Sequence, residues 1–376
     1  MNIYYWCPYL TNIATINAVK RSAISIKKYS KKNFNVSILN SSGEWLFFKN
    51  NNFGINILST LKNINLHKYL PKEGLIFSRI SFIIIFIINF FPLFYKIKKN
   101  KPNYLIIHLL TFLPIMLSPL LSKDTKIILR ISGYPNMTIF RKILWKFFSK
   151  YIYIVTTPTK LTKNYLIENK IFEKEKIIIL KDPVIVVNEI NKKKDFIDHK
   201  TNFKKEFYVA VGRLTNQKNF EFLIDAYSKN IKKIKIKNLY IVGNGENFIN
   251  LKKKIIKNKM ENNVFLTGFK KNVYNIINAS SGLISVASYE DPGFSLIEAA
   301  FLRKKVISSL VKNGPMEMSE FGDTGFFFKF NNEEDFIKKI VESENSNNFS
   351  KLKNALKFSN EYSTFEHFKT LDKILT

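Results

Sequence analysis

The chain has 376 residues and a formal net charge of +31, from 60 basic and 29 acidic side chains. With 46% apolar and 15% aromatic residues it can build real cores, which excludes a disordered protein, and the lack of a Gly or Pro period excludes a fibrous one. The single cysteine, Cys7, excludes a disulfide framework and a cysteine zinc cluster, and 4 His leave little room for a histidine metal cage. The length predicts two domains, or at most three.

The excess of basic residues favours an anionic partner, which is either nucleic acid or a membrane surface. Nearly all of these residues are Lys, and Asn, Ile and Phe are also abundant, as an AT-rich genome encodes, so much of the charge is expected to be solvated. A dedicated nucleic-acid binder more often combines Arg and Gly with aromatic residues in a compact motif, and we find none. We therefore expect an anionic membrane surface as a partner and no nucleic acid.

Short apolar runs alternate with longer helical patterns in the first half, which is typical of βαβ units in parallel sheets. The opening residues 1–8 carry no charged leader and predict a buried strand rather than a signal peptide. The predicted strands are Ile3–Trp6, Asn35–Leu39, Tyr104–His108, Lys126–Ile131, Tyr153–Thr156 and Ile177–Leu180. The predicted helices are Ala14–Tyr29, the apolar run Ile80–Tyr95 and Thr138–Phe148.

The apolar run Ile80–Tyr95 is the one stretch that suggests a membrane. It is shorter than the roughly 20 apolar residues of a span, it contains Asn89 and Pro92, and four lysines follow it. It can be a core helix, a helix in the bilayer interface or a true span. We favour an interfacial or part-buried helix, because a basic collar beside an apolar face suits an interface. The expected location is the cytoplasm, peripheral or monotopic at the inner face of the plasma membrane.

The second half restarts the alternation after a polar, lysine-rich stretch over 187–205 that predicts a linker. The predicted strands are Tyr208–Val211, Leu239–Val242, Val264–Leu266, Leu283–Val286, Val306–Ser309 and Gly325–Phe328. The predicted helices are Phe220–Ser228, Asn247–Lys257, Val273–Ala279, Ser295–Leu302, Glu333–Glu342 and Lys351–Tyr362. The pattern predicts two Rossmann-like, doubly wound α/β domains, with a ligand cleft between them at the carboxyl ends of both sheets.

The segment Ser288–Ala300 (SYEDPGFSLIEAA) is the richest in chemistry. Gly293 lets the backbone approach a ligand closely, and the helix after it offers free N–H groups to an anion. Glu290 follows an apolar strand and predicts hydrogen bonds to sugar hydroxyls, since it would repel a free phosphate. For Glu298 a capping box with Ser295 is at least as good an explanation as a ligand role.

A second segment, AVGRLTNQKN, places Arg213 and Lys218 in one loop after a buried strand that ends at Gly212. Arg can grip a phosphate with two parallel hydrogen bonds, and Lys adds a mobile point charge. Lysines are everywhere in this chain, so Lys218 alone means little. Arg is scarce, and we favour a functional Arg213 over a solvated one.

Several weaker signals surround these two segments. Turns at Gly243–Glu246, Thr267–Phe269 and Asn313–Glu317 each follow a strand, and together such loops predict a nucleotide pocket. In the first half, His108 ends a strand that faces the predicted cleft, although lone histidines are more often structural. The polar residues Thr11, Asn12 and Thr15 are either a helix N-cap or part of an acceptor site.

These segments resemble those of the retaining glycosyltransferases of the GT-B fold, family 4. The resemblance rests on the G-R-x4-K segment from Gly212, on the E-x7-E segment from Glu290 to Glu298, and on the turns VGNGE, LTGF and NGPMEM in the same order. It covers the whole second half. The first half is similar more loosely, through WCPYLTNIATINAVKRSA, IIHLL, RISGYPN and TPTKLTKNYL, to enzymes that build bacterial surface polysaccharides.

The resemblance implies an acceptor domain over 1–190, a linker over 191–205, a nucleotide-sugar domain over 206–362, and a final helix, about 363–376, that packs back on the first domain. It assigns catalysis to Glu290, His108, Arg213 and Lys218. The residues that it assigns to donor binding are Gly212, Arg213, Lys218, Gly243, Gly268, Phe269, Glu290, Gly293, Phe294, Ser295 and Glu298. Within this set Arg213 and Lys218 would hold the diphosphate, Glu290 the sugar, Glu298 the ribose and the Gly268–Phe269 backbone the base. The family's Gly-rich loop after the first strand is replaced here by Pro8–Thr11.

The expected activity is that of a retaining hexosyltransferase which moves a sugar from a UDP- or GDP-linked donor to an undecaprenyl-diphosphate-linked oligosaccharide, in O-antigen, capsule or exopolysaccharide synthesis. No D-x-D triplet occurs, so no metal and no cofactor is expected. Two alternatives remain at this point. One is a related sugar-nucleotide epimerase, and the other is a non-enzymatic basic peripheral membrane protein.

Overall fold

Two parallel sheets organise the chain in a computed structural model, which describes residues 1–11, 14–61, 65–72, 75–135, 137–196, 203, 206–230 and 237–376. The structure divides into one unit of Met1–Pro183 with Thr364–Thr376 and another of Val184–Ser363. The sequence had placed this boundary at 190.

The first unit is built on a seven-stranded sheet in the order β3-β2-β1-β4-β5-β6-β7, with every pair parallel. Its strands are β1 (Asn2–Trp6), β2 (Asn35–Asn40), β3 (Asn56–Ser59), β4 (Tyr104–Ile107), β5 (Lys126–Arg130), β6 (Ile154–Thr157) and β7 (Ile177–Ile179). The helices between Met1 and Pro183 are α1 (Ala14–Tyr29), α2 (Leu75–Asn100), α3 (Phe112–Leu117), α4 (Ile139–Phe148) and α5 (Lys160–Glu168). Central strands such as β4 are buried on both faces, which explains their unbroken apolar sequence.

The second unit has a six-stranded parallel sheet in the order β10-β9-β8-β11-β12-β13. Its strands are β8 (Phe207–Val211), β9 (Asn238–Val242), β10 (Val264–Gly268), β11 (Gly282–Ser285), β12 (Lys305–Ser309) and β13 (Phe326–Phe328). Its helices are α6 (Val187–Lys193), α7 (Phe220–Asn230), α8 (Phe248–Lys257), α9 (Tyr274–Ala279), α10 (Phe294–Phe301), α11 (Gly314–Glu320), α12 (Glu333–Asn345) and α13 (Phe349–Asn360). This strand order is the Rossmann order, in which the second and third strands lie on one side of the first strand and the fourth to sixth lie on the other.

The last helix, α14 (Thr364–Ile374), returns to the first unit. It packs against α1, and its Phe368 lies against the Tyr29 ring with centroids 5.8 Å apart. Leu371 and Ile374 enter the core on the α1 side of the first sheet. The chain thus crosses between the two units twice.

Several elements differ from those predicted. Three elements were not predicted: β3, an edge strand whose side chains are mostly half-buried, α3, which is only six residues long, and α5, which is too polar to show a clear apolar stripe. The predicted linker is wrong where α6 occupies 187–193, because one buried residue, Ile190, is enough to anchor that short helix to the second unit. The rest of the linker falls mostly on residues 197–202 and 204–205, which lie outside the described residues. The predicted turn at 313–317 is the start of α11.

The apolar run is part of a much longer helix, α2, that contains Pro92 in its interior. One side of α2 is core: Ile85, Leu93 and Ile97 are buried. Asn89 is also buried, and it bonds to the Ile85 carbonyl and to Thr60. By length and composition α2 is apolar enough to cross a membrane. In the structure, 28% of its most apolar 18-residue stretch is buried.

Candidate active site

Two loops that meet at the centre of the second sheet carry the predicted site. Strands β8 and β11 are neighbours there, since Tyr208 pairs with Gly282 and Val209 with Leu283. The strand order reverses between them, and ligands of open parallel sheets bind outside the carboxyl ends of the strands at such a point. The loop from β8 to α7 and the loop from β11 to α10 therefore lie side by side.

The β8–α7 loop is a tight turn with two cations. The Gly212 amide donates to the Val242 carbonyl of β9 at 3.0 Å. A Cβ on Gly212 would lie 2.8 Å from Cε of Lys218, so the Lys218 side chain runs back across the start of its own loop. Arg213 is exposed. The structure thus brings the predicted Gly212, Arg213 and Lys218 together in one turn.

An ion pair joins the two loops. The Lys218 ammonium donates to Oε1 of Glu290, and the two side chains are only 18% and 8% exposed. Gln217 adds two further links, since its side chain donates to the Tyr289 carbonyl and its own carbonyl accepts from the Ser288 amide, both at 2.9 Å. A cation and a carboxylate are therefore held together where the strand order reverses.

The loop after Glu290 leads directly into the N-terminus of α10. The Glu290 carbonyl accepts from the Gly314 amide at 3.0 Å, which ties this loop to the start of α11. The peptide bond between Asp291 and Pro292 is cis. Gly293, with a φ of 86°, precedes the helix, and the amides of its first turn are those that a helix leaves for an anion.

The capping-box explanation of Glu298 is wrong. The helix begins at Phe294 with Gly293 as its N-cap, and no side chain caps it, so Ser295 already lies inside the first turn. Ser295 and Glu298 are both buried. The reason is local: Gly293, in the left-handed conformation, is the N-cap, so the helix starts one residue before Ser295.

The turns after β9 and β10 are held by close contacts between backbone atoms. The Gly243 amide donates to the Gly268 carbonyl at 2.9 Å, and a Cβ on Gly243 would lie 1.8 Å from the Gly212 oxygen. The ends of β8, β9 and β10 are thus drawn together at one edge. Gly268 has a φ of 70°, and Phe269 after it is 73% exposed, so a large aromatic face stands free at the same edge of the sheet.

In the first unit, His108 belongs to a buried polar cluster. It is 7% exposed, and its Nδ1 lies 3.4 Å from Oγ of Ser132. Burial lowers the pKa of His108 well below its usual range, and the charges of Arg130 and His367 add to the effect. A cavity of about 10 Å³, enough for roughly one water, lies among these groups. Its assigned approach to the donor sugar stays a prediction.

The other members of this cluster were not predicted from the sequence. Arg130 donates to Oδ1 of Asp182 at 2.6 Å and to the Leu180 carbonyl at 2.5 Å, with both charged side chains buried. His367 bonds to the Lys181 carbonyl at 2.6 Å and to Oγ of Ser22 at 2.8 Å. The available signal was Arg130 itself, a scarce residue type at the end of an apolar strand.

The proposed acceptor residues are only partly described. Thr11 is exposed after β1, and Thr15 is half-exposed in the first turn of α1. Asn12 lies outside the described residues. The structure also places Asn313 in the site region, where its side-chain amide donates to Asp291 at 2.9 Å and to the Tyr289 hydroxyl at 3.3 Å.

Residues 191–359 match the family model of the glycosyl transferases group 1. The second unit belongs to this family. An uncharacterised glycosyltransferase of Methanocaldococcus jannaschii is 28% identical over 239 residues, which cover 59% of each chain. The amylovoran biosynthesis glycosyltransferase AmsD of Erwinia amylovora is 30% identical over 193 residues, covering 50% of this chain and 53% of the relative. The chain thus spans between half and three-fifths of the length of these curated relatives.

The fold match extends over the whole chain. Anabaena HepE, solved in complex with UDP, superposes with a TM-score of 0.72 at 13% identity, over 100% of this chain and 99% of the other. At that identity the likeness shows the fold alone. The predicted fold class, the two Rossmann-like α/β units of the GT-B glycosyltransferases, is confirmed. The cleft between the units stays a prediction.

Proposed function

We propose that the protein is a metal-independent, retaining hexosyltransferase of family 4, which transfers a sugar from a UDP- or GDP-linked donor. The observation that carries this proposal is the Lys218–Glu290 pair beside Arg213 at the switch point of the second sheet. A nucleotide sugar needs both kinds of group, because its diphosphate requires cations and its hydroxyls require acceptors. The pair supplies one of each in adjacent loops.

The chemistry follows from where charge develops. Glycosyl transfer leaves negative charge on the departing diphosphate, so groups that stabilise this charge accelerate the reaction more than they tighten ground-state binding. Arg213 and Lys218 supply the cations, and the first turn of α10 supplies amides. Glu290 accepts from the donor sugar, and Glu298 from the ribose. No metal is needed in this mechanism, because the two cations and the helix amides stabilise the charge of the diphosphate.

Exposed Phe269 and the turn at Gly268 are suited to the base. A ring that is 73% exposed offers a face on which a planar base can stack, at the same edge as the cations. The solved HepE complex contains UDP, which supports a uridine donor in this fold. We assign His108 to the sugar side of the reaction, from the first unit.

The acceptor in this proposal is an undecaprenyl-diphosphate-linked oligosaccharide, in the synthesis of a surface polysaccharide. AmsD, named for amylovoran biosynthesis, supports a polysaccharide product. The net charge of +31 supports a location at an anionic membrane surface, peripheral or monotopic on the cytoplasmic side. Thr11, Asn12 and Thr15 are the candidate acceptor contacts.

A thermal-shift titration with UDP, GDP, ADP and CMP tests the donor site. A nucleotide at about a hundredfold over its dissociation constant adds roughly 2.7 kcal/mol of stability. We expect one nucleotide to stabilise the wild type and Lys252→Ala, an exposed cation on α8, but not Arg213→Ala. Transfer from the selected sugar nucleotide to a lipid-linked acceptor should then depend on Arg213. A flat response to all four nucleotides would contradict the proposal.

A further inference from the structure

The long helix α2 presents a continuous apolar stripe to solvent. The exposed residues follow helical spacing along one face: Ile76, Phe77, Ile80, Ile83, Ile87, Phe91 and Tyr95. At 1.5 Å per residue a helix of this length extends for roughly 40 Å. Exposed apolar patches that large are uncommon on soluble proteins and mark a surface that something covers.

The neighbouring helix α4 presents a second stripe. Its exposed apolar residues are Ile139, Phe140, Ile143 and Phe147. Both helices pack on the same side of the first sheet, because Leu93 and Ile97 of α2 and Trp145 of α4 enter one core cluster. Phe112 links the two helices: its ring centroid lies 5.5 Å from that of the partly buried Phe86 on α2 and 6.2 Å from that of Phe140 on α4. We call these exposed residues of α2 and α4 the two-helix surface.

The charges on the two helices themselves have one sign. The sequences of α2 and α4 contain no Asp or Glu. Exposed cations lie at both ends of the stripe on α2 and along α4: Arg79, Lys98, Lys99, Arg141, Lys142 and Lys146. Apolar side chains beside a collar of cations are the combination that binds an anionic bilayer interface.

A helix that lies on the bilayer fits this structure better than one that crosses it. The inner face of α2 is part of the first unit's core, through Ile85, Leu93 and Ile97. Ser81 and Asn89 on that face are satisfied within the unit, by the Pro71 carbonyl and by Thr60. Spanning would pull these contacts apart, whereas lying flat keeps them.

We propose that the two-helix surface docks the protein flat on an anionic lipid bilayer, with the apolar stripes in the acyl boundary and the lysines at the headgroups. A second copy of the chain is a poorer occupant, because a symmetric contact would bring the cations of both copies together without an acidic group from either helix. This inference rests on the membrane location in the proposed function and assigns the surface responsible for it. The surface lies in the first unit, outside the donor-site residues of the second, so docking can be tested separately from sugar transfer.

Vesicle flotation with the full chain tests the proposal. Wild-type protein should float with vesicles of phosphatidylcholine and phosphatidylglycerol, and bind vesicles of phosphatidylcholine alone much more weakly. Ile87→Glu and Phe147→Glu change residues that are each 64% exposed, so we expect both variants to fold normally. Each should lower the partition into anionic vesicles by about tenfold. The matched control is Ile249→Glu, at a 66% exposed residue on α8 of the second unit.

Three outcomes would overturn the inference. One is equal binding by wild type and both variants, and another is the same loss in Ile249→Glu. The third is a wild-type dimer in light scattering that Ile87→Glu converts to a monomer while vesicle binding is unchanged. Thermal shift by the donor nucleotide should be the same in all these proteins, so a failure of docking and a failure of the proposed transferase function are told apart.

Discussion

The ammonium of Lys218 pairs with the carboxylate of Glu290, 72 residues away along the chain. The pair is largely buried, and it connects the loop after β8 to the loop after β11. Because Lys218 also runs across Gly212, the cation is placed by contacts on both of its sides. The site therefore holds its charges in position before any anion arrives, which is the arrangement that electrostatic catalysis favours.

Removing one partner of this pair should cost both stability and activity. In Lys218→Ala the Glu290 carboxylate is left buried without its cation, and we expect a loss of about 3 kcal/mol in the free energy of unfolding. Transfer should fall by roughly a hundredfold or more. Urea unfolding and a transfer assay measure the two effects, with Lys252→Ala as the control. Unchanged transfer in Lys218→Ala would contradict the assignment.

The double variant Lys218→Ala/Glu290→Ala should separate stability from catalysis. It removes both charges, so no buried carboxylate is left unpaired, and we expect it to be more stable than Lys218→Ala alone. It should remain inactive, because the diphosphate has lost a cation and the sugar an acceptor. Recovery of transfer together with stability would show that the pair is only structural.

Two glycines of the site should respond very differently to alanine. In Gly243→Ala the new Cβ would meet the Gly212 oxygen at 1.8 Å, so the ends of β8 and β9 must separate. In Gly268→Ala no atom lies within 4 Å of the new Cβ, and only the cost of a positive φ remains, about 1 kcal/mol. We expect thermal unfolding to show a several-fold larger loss for Gly243→Ala. Equal losses would mean that the close approach is relaxed in solution.

Stability of the first unit should fall below pH 6.5. Burial lowers the pKa of His367 to about 3, the Arg130 charge adds to this, and the hydrogen bond to the Lys181 carbonyl opposes it. That carbonyl only accepts, so Nδ1 carries the proton, and Nε2 accepts from Ser22, whose oxygen in turn accepts from the Tyr5 hydroxyl. This chain of hydrogen bonds needs a neutral imidazole.

The sign of the effect follows from proton binding. Between pH 6.5 and about 3 the unfolded chain protonates His367 and the folded chain does not, so stability is lost as the pH falls, by about 1.4 kcal/mol per pH unit at most for this one group. His108, with its pKa also lowered, acts in the same direction. All 3 tryptophans lie in the first unit, so their fluorescence during guanidinium unfolding reports on it. We expect His367→Gln to flatten the pH dependence, and an unchanged slope would contradict this.

Chelation should leave the activity intact. Within the described part of the chain, no group of three or more His, Cys, Asp or Glu is placed to hold a metal ion. In the proposed function, Arg213, Lys218 and the first-turn amides of α10 stabilise the departing diphosphate instead of a metal ion. We therefore expect the transfer rate with EDTA to stay within about twofold of that with added Mg²⁺ or Mn²⁺. A rate that collapses with EDTA and returns with one metal would refute metal independence.

Much of the fold could be predicted from local pattern. Central strands such as β4 and β8 are continuous apolar runs because both of their faces are covered, and their bounds were predicted to within a residue or two. Among the elements that were missed or wrong, β3, α5 and α6 lie at an edge or bury few side chains, and the buried α3 is only six residues long. Their sequences therefore carry little of the periodicity from which elements are predicted.

The sequence by itself determined which residues are candidates for the site, since Gly212, Arg213, Lys218, Glu290 and Gly293 follow strands in motifs that can be recognised. Only the tertiary structure decided how they are paired. Lys218 meets Glu290 because β8 and β11 are neighbours in the sheet, and His367 meets Ser22 because α14 returns across 345 residues of sequence. The physical reason is that periodicity and turn propensity act over a few residues, whereas contacts between distant residues depend on the order in which strands and helices pack.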